Sequence, residues 1–214
     1  MRYPIDAGHP IPRMRMHHPP RLPLPRWLPR ALLVPASAWI LLAQALIPAP
    51  EFELNRYAGR WYEIAAIPGF LQSRCARDTE VEYTNAENGA LAGQTRCVRA
   101  DGKPESTESR VRTLDPAVPG ALKVTSVSFL GVWWYPFGRE SIVIAVGPEY
   151  RWVALGHPSL RYGRIIARDP VLSDDSLKGA AAALGGQQFD LCNFVTTSQT
   201  RGRVQPARVC DIVK

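Results

Sequence analysis

Histidine is scarce in this 214-residue chain: His9, His17 and His18 all fall before residue 45, which leaves His157 alone in the remainder. A histidine-based metal cluster is excluded there, as is a Ser–His or Cys–His pair at a recognisable spacing. A glycine-rich phosphate loop is missing too, and the acidic pairs Glu80/Glu82 and Asp174/Asp175 suit a solvated strand face and a helix start rather than an acid–base couple. An excess of one charge is missing outside the first 45 residues. The formal charge of +7 comes mainly from Arg2, Arg13, Arg15, Arg21, Arg26 and Arg30, opposed there by Asp6 alone. The body is close to neutral and offers no basic face for nucleic acid. What is present is a 46% apolar composition, enough for one domain with a full core or two small ones, and incompatible with a disordered or fibrous chain.

Residues 21–30 are basic and proline-rich, and residues 31–48 run uncharged through Leu32, Leu33, Val34, Trp39, Ile40, Leu41 and Leu42. This is the layout of a signal peptide, and Ala43-Gln44-Ala45 supplies a small-residue cleavage site. The chain therefore divides into a leader (1–45), a domain (46–199) and a tail (200–214). An uncleaved anchor is the competing expectation, although Pro35 and the short run weaken it. No cysteine stands near the cleavage site, so the expectation is an exported protein, periplasmic or associated with an outer membrane, without a lipid anchor. Met14 and Met16 near the apolar run raise the alternative of a later start.

The four cysteines suit two disulfides in an oxidising compartment. Of the possible pairings, Cys75 with Cys97 ties the segment before one strand to its neighbour, and Cys192 with Cys210 pins the tail. The alternative is a reactive Cys97 thiol inside a cavity, which requires a thiolate-stabilising neighbour; only Arg96 and Arg99 lie nearby in sequence.

Short runs rich in Val, Ile, Thr, Tyr and Trp recur between turn clusters such as Asn88-Gly89, Asp101-Gly102 and Pro119-Gly120. Eight strands are expected, at 60–66, 77–84, 91–99, 106–113, 121–128, 140–146, 151–156 and 163–168. Without helices between them they form an antiparallel sheet. One helix follows: Ser173 can cap it, Asp174 and Asp175 suit its positive end, Leu177, Ala180, Ala181 and Leu184 make one apolar stripe, and Gly185-Gly186 ends it. A last short strand is expected near 194–198. The fold class is all-β: an eight-stranded antiparallel up-and-down barrel with one C-terminal amphipathic helix packed outside. Closure removes the sheet edges and leaves an interior able to hold a small ligand.

Gly59-Arg60-Trp61-Tyr62-Glu63-Ile64-Ala65, followed by Pro68 and Phe70, resembles the G-x-W opening of the lipocalins, and its continuation resembles their bacterial outer-membrane branch. Arg164-Ile165-Ile166-Ala167-Arg168-Asp169-Pro170, with Ser173-Asp174-Asp175 beginning the helix, resembles the last strand, arginine and helix start of that branch. The resemblance covers roughly 51–199. Gly147-Pro148-Glu149-Tyr150 keeps only the tyrosine of the family's middle motif. The resemblance implies a calyx that binds a small lipophilic ligand, fatty acid or lysophospholipid, in envelope lipid storage or transport. No cofactor is implied.

Independently of any family, a barrel needs a floor. An indole from the first strand under an arginine gives stacking and cation–π attraction of about 0.5–2 kcal/mol, and Trp61 and Arg168 are placed for that closure. If Arg168 points inward, Ile166 and Arg164 share its face, and Arg164 lies about 13 Å up the strand at roughly 3.3 Å per residue. A guanidinium at mid-cavity suits an anionic head group; a one-residue slip would turn it to solvent. The same alternation selects Val81, Tyr83, Leu122, Val124, Ser141 and Val143 as further wall residues. Between two strands, Phe129, Trp133, Trp134, Tyr135 and Phe137 crowd into one short segment. Three uses are open for it: a lid, membrane contact through Trp133 and Trp134, or packing under the loop. The competing functional classes are a lipocalin-fold enzyme with a reactive Cys97 and a protein-interaction module with a filled barrel.

Overall fold

The structure is a computed structural model that describes residues 45–69 and 74–214. The expected leader, apart from Ala45, and Phe70 of the opening motif lie outside the described residues.

The strands are β1 (Gly59–Ala66), β2 (Arg77–Asn85), β3 (Leu91–Val98), β4 (Pro104–Asp115), β5 (Val118–Thr125), the short β6 (Ser128–Phe129) and β7 (Val132–Trp133), then β8 (Arg139–Val146), β9 (Trp152–Gly156) and β10 (Gly163–Ala167). The eight longer ones pair antiparallel in chain order, and β10 pairs back onto β1 with Tyr62 opposite Ala167 and Ala66 opposite Arg164. The sheet is therefore a closed up-and-down barrel; β6 and β7 form a separate hairpin between β5 and β8. Alternation sets the faces, as in β2, where Thr79, Val81 and Tyr83 are buried while Glu80 and Glu82 turn outward to Arg96 on β3, at 3.7 and 3.4 Å.

A bulge at Glu63/Ala65 breaks this alternation in β1. Below it, Gly59–Tyr62 pairs with β2; above it, Ala65 and Ala66 pair with β11 (Val195–Thr196). Trp61 and Val81 belong to a core inside the barrel, whereas Ile64 and Ala65 belong to a second core outside it. That outer core receives the helix α1 (Asp174–Gly186), whose buried stripe is Leu177, Ala180, Ala181 and Leu184, packed with Trp152, Ala154, Ile165 and Ala167. The Ser173 hydroxyl accepts from the Ser176 N–H at 3.3 Å, capping the helix as expected. The stop differs: the helix runs through Gly185-Gly186, and the left-handed residue is Gln188, at φ +67°.

Pro119-Gly120 is also not a turn but lies within β5, and the chain reverses just before it. The reason lies in the segment entering the barrel, where the Ala49 N–H donates to the Val143 carbonyl at 2.8 Å. A Cβ at Gly120 would lie 3.0 Å from Pro48 and 3.3 Å from the Ala49 carbonyl, so the glycine answers a close approach. Past residue 199 the chain packs back onto the domain. Ala207 accepts from the Thr196 N–H at 2.8 Å, and Val209, which opens α2 (Val209–Ile212), is fully buried in the outer core.

Candidate functional site

One end of the barrel is sealed. The Arg168 guanidinium lies 3.6 Å from the centre of the Trp61 ring and donates to the carbonyls of Arg60 and Arg56 at 3.0 and 2.8 Å. The Trp61 indole N–H donates to the Tyr57 carbonyl at 2.7 Å. Tyr150, from the degenerate middle motif, completes this floor: its hydroxyl accepts from the Glu53 N–H at 2.6 Å and donates to the Glu51 carbonyl at 3.1 Å, while Arg56 covers its ring at 4.0 Å. Above the floor, Phe52, Leu91, Val111 and Leu122 fill the lower barrel with protein.

The upper half is hollow, with a cavity of about 490 Å³, within the range of small-molecule sites. Its base is formed around Arg164, which donates to the Tyr83 hydroxyl at 3.2 Å. Tyr83 is held by stacking on Tyr57 at 4.9 Å between ring centres. It needs the missing side chain of Gly93, where a Cβ would stand 2.7 Å from its ring. Burial pushes the Arg164 guanidinium toward losing its proton, but the neighbouring Tyr83, Tyr57 and Glu63 more than compensate, so it stays charged. Among the described residues, no carboxylate forms an ion pair with it. Glu63 also lines the cavity; its carboxylate accepts from the Thr197 hydroxyl at 2.9 Å. Burial raises the Glu63 carboxyl above the ordinary glutamate value, an effect only partly offset by Arg164 and Thr197.

Of the wall residues expected from alternation, Tyr83, Val124, Ser141 and Arg164 border the cavity. Val81, Leu122, Val143 and Ile166 point inward but do not: they sit beneath it in the packed lower barrel. Alternation assigns a face, not a height, and these four lie too low. Residues not anticipated are Glu63, Thr79, Thr95, Thr107, Ser109 and Leu155. The signal was available, since Glu63 follows Trp61 by two and Ser109 precedes Val111 by two. The walls are thus richer in hydroxyl groups than an acyl-chain pocket requires.

The cavity opens between the loops opposite the floor. Cys75 and Cys97 are joined there, with Cα atoms 5.5 Å apart, and Cys192 and Cys210 join the tail to the turn after α1, at 4.9 Å. Cys97 therefore has no free thiol, which removes the nucleophile of the reactive-cysteine alternative. His157, at the rim, is held by local turn contacts: its Nδ1 accepts from the Ser159 N–H at 3.0 Å. Of the aromatic segment, Trp133 lies under Arg110 on the outside of the barrel, whereas Trp134 stacks on Phe137 and is partly exposed.

A closed antiparallel barrel with an indole–guanidinium floor, the helix α1 packed outside and a cavity open at the other end defines a calyx architecture. The chain belongs to the lipocalin family, whose lipocalin-like domain model matches residues 52–199. Members of that family generally bind small hydrophobic ligands. The chain is 28% identical to the outer membrane lipoprotein Blc of Escherichia coli K12 over 177 residues, covering 78% of this chain and 96% of that one. It is 34% identical to apolipoprotein D of Macaca fascicularis over 158 residues, covering 70% and 78% respectively. Among solved structures, insecticyanin of the tobacco hornworm Manduca sexta superposes with a TM-score of 0.56 at 18% identity, covering 74% of this chain and 92% of that one. That likeness speaks for the fold alone.

Proposed function

We propose that the chain binds a single-chain amphiphile bearing an anionic group, a fatty acid or a lysophospholipid, and stores or carries it in the cell envelope. The observation that carries this reading is Arg164: a charged guanidinium inside the cavity that donates to the Tyr83 hydroxyl and has no carboxylate ion-pair partner among the described residues. A carboxylate or phosphate that replaces its lost hydration gains a charge-assisted, bidentate contact. The head group then lies at the base, among the hydroxyls of Thr79, Thr95 and Ser109, and the tail runs past Leu155, Val124, Val127 and Phe137 toward the mouth. Each methylene removed from water adds about 0.8 kcal/mol. Envelope location is supported by the signal-like leader and by the similarity to an outer membrane lipoprotein.

The test is native mass spectrometry of the protein, followed by organic extraction and identification of what dissociates. One fatty acid or lysophospholipid per chain is the expected result. Protein that is empty and takes up no added acyl chain would overturn the reading and return the filled-barrel interaction module. In the same assay Arg164→Leu should weaken binding of anionic amphiphiles by roughly ten- to a hundredfold and leave neutral ones nearly unchanged; equal losses for both would remove Arg164 from recognition.

A further inference from the structure

The hairpin that joins β5 to β8 presents an uncharged, solvent-facing apolar tip. From Ser126 to Gly138 it carries no charged residue, and its side chains face water: Phe129 is 65% exposed, Leu130 86%, Val132 62% and Phe137 68%. Its tip is a two-residue turn with Leu130 at φ +49° and Gly131 at φ +79°. That left-handed geometry favours Asn, Asp or Gly, so the tip holds its most exposed apolar side chain against the local preference of the backbone.

Arginines surround the base of this hairpin. Arg110 lies over the Trp133 ring at 4.4 Å, Arg112 over Tyr135 at 4.0 Å, and Arg139 over Tyr162 on the neighbouring mouth loop at 4.6 Å. Around the rest of the barrel, Arg60, Arg74, Arg96 and Arg99 face carboxylates at 3.4 to 3.7 Å. Arg110, Arg112 and Arg139 have no carboxylate partner among the described residues; aromatic rings hold all three in place, and Arg110 also donates to the Ser109 carbonyl at 3.0 Å. An uncharged apolar tip above a collar of unneutralised guanidinium groups is complementary to one kind of surface, a bilayer with anionic head groups: the tip enters the acyl boundary while the collar meets phosphates. The hairpin is also continuous with the cavity, because Val127 at its start and Phe137 at its end both line it.

We infer that the barrel mouth docks on an anionic lipid surface through residues 126–138, with Phe129, Leu130 and Val132 inserted and Arg110, Arg112 and Arg139 against lipid phosphates. The inserted residues differ from Trp133 and Trp134, through which membrane contact was one of the three uses left open by the sequence, since Trp133 lies under Arg110. It does not rest on the ligand reading and stands or falls separately.

Hydrogen–deuterium exchange of the full chain tests it locally, with vesicles of phosphatidylcholine alone or mixed with phosphatidylglycerol. The mixed vesicles should slow exchange across 126–138, and phosphatidylcholine alone should do so about tenfold less effectively. The double variant Phe129→Ser, Leu130→Asn should need at least about tenfold more lipid for the same protection. Its melting temperature should not fall, because Asn suits the left-handed turn. Arg110→Gln with Arg112→Gln should remove the preference for phosphatidylglycerol. Arg164→Leu should leave the protection intact, which separates docking from cavity recognition. No protection by mixed vesicles, equal protection in the Phe129/Leu130 variant, or protection that appears without lipid as protein concentration rises would overturn the inference; the last would place a second copy of the chain on the tip.

Discussion

The lower and upper halves of the barrel use the same strands for opposite ends. Below, inward positions carry Trp61, Leu91, Val111, Leu122 and Val143, all essentially inaccessible to solvent, and the Arg168 guanidinium is held by an indole ring and two carbonyls. Above, the same alternation yields Thr79, Ser109, Ser141 and Arg164 around empty space. Packing density sets stability, whereas a charge held without an ion-pair partner is retained at a cost that a ligand can repay. The floor therefore reads as structure and the cavity as recognition, and substitutions on the two sides should separate cleanly.

The largest effect is expected at the floor. Trp61→Ala removes a fully buried ring and the surface on which Arg168 rests, and should cost about 3–5 kcal/mol in chemical denaturation. Whatever remains folded should keep its preference for anionic over neutral amphiphiles; loss of that preference would mean the two halves are not independent. Near the mouth, where packing is thinner, the Cys75–Cys97 bond closes 22 residues of chain. Replacing both cysteines by serine should cost about 3 kcal/mol, read by the same titration, with faster exchange in the neighbouring loop. Arg164→Leu is the reciprocal probe: stability within about 1 kcal/mol of the parent, since it removes an enclosed charge as well as one hydrogen bond to Tyr83, together with the selective loss of anionic ligands described above.

Much of this division was legible in the sequence, and the exceptions have physical causes. The strands, the cap at Ser173, the stripe from Leu177 to Leu184 and the opposed Trp61 and Arg168 follow from local periodicity and from one paired motif. The inward orientation of Arg164 followed from counting back from Arg168 by twos, and no bulge intervenes in β10. What periodicity does not carry is height along the barrel, so Val81, Leu122, Val143 and Ile166 were expected at a cavity that ends above them. Nor does it carry contacts between distant segments: Gly120 resembled a turn because the crossing of Pro48 and Ala49 is invisible locally. Glu63 is legible from its two-residue spacing to Trp61, whereas the bulge that follows it, where Ile64, Ala65 and Ala66 are all buried, is not.

That acid yields the smallest predicted effect and the finest test of the upper half. Burial holds the Glu63 carboxyl above its ordinary value of 4.5, with Arg164 and the Thr197 hydroxyl opposing the shift. A carboxyl whose pKa is raised on folding stabilises the folded state fully below the unfolded value, and that contribution is lost as pH rises through the folded one. Compared with Glu63→Gln, the parent should therefore lose relative stability as pH climbs from about 4.5. Ligand binding should follow the same direction for a different reason. Ionised Glu63 shares the cavity with Arg164 and competes with an incoming anion for its field, so protonation frees the guanidinium. With a sub-micellar alkyl sulfate, which keeps its charge across this range, affinity should improve by about three- to tenfold as the pH falls through the Glu63 transition. Glu105 and Glu140 also border the cavity, which is why the difference between the parent and Glu63→Gln, rather than the parent's profile alone, isolates the effect. A Glu63→Gln profile as steep as the parent's would assign the titration to the rim and leave Arg164 uncoupled from the acid beside it.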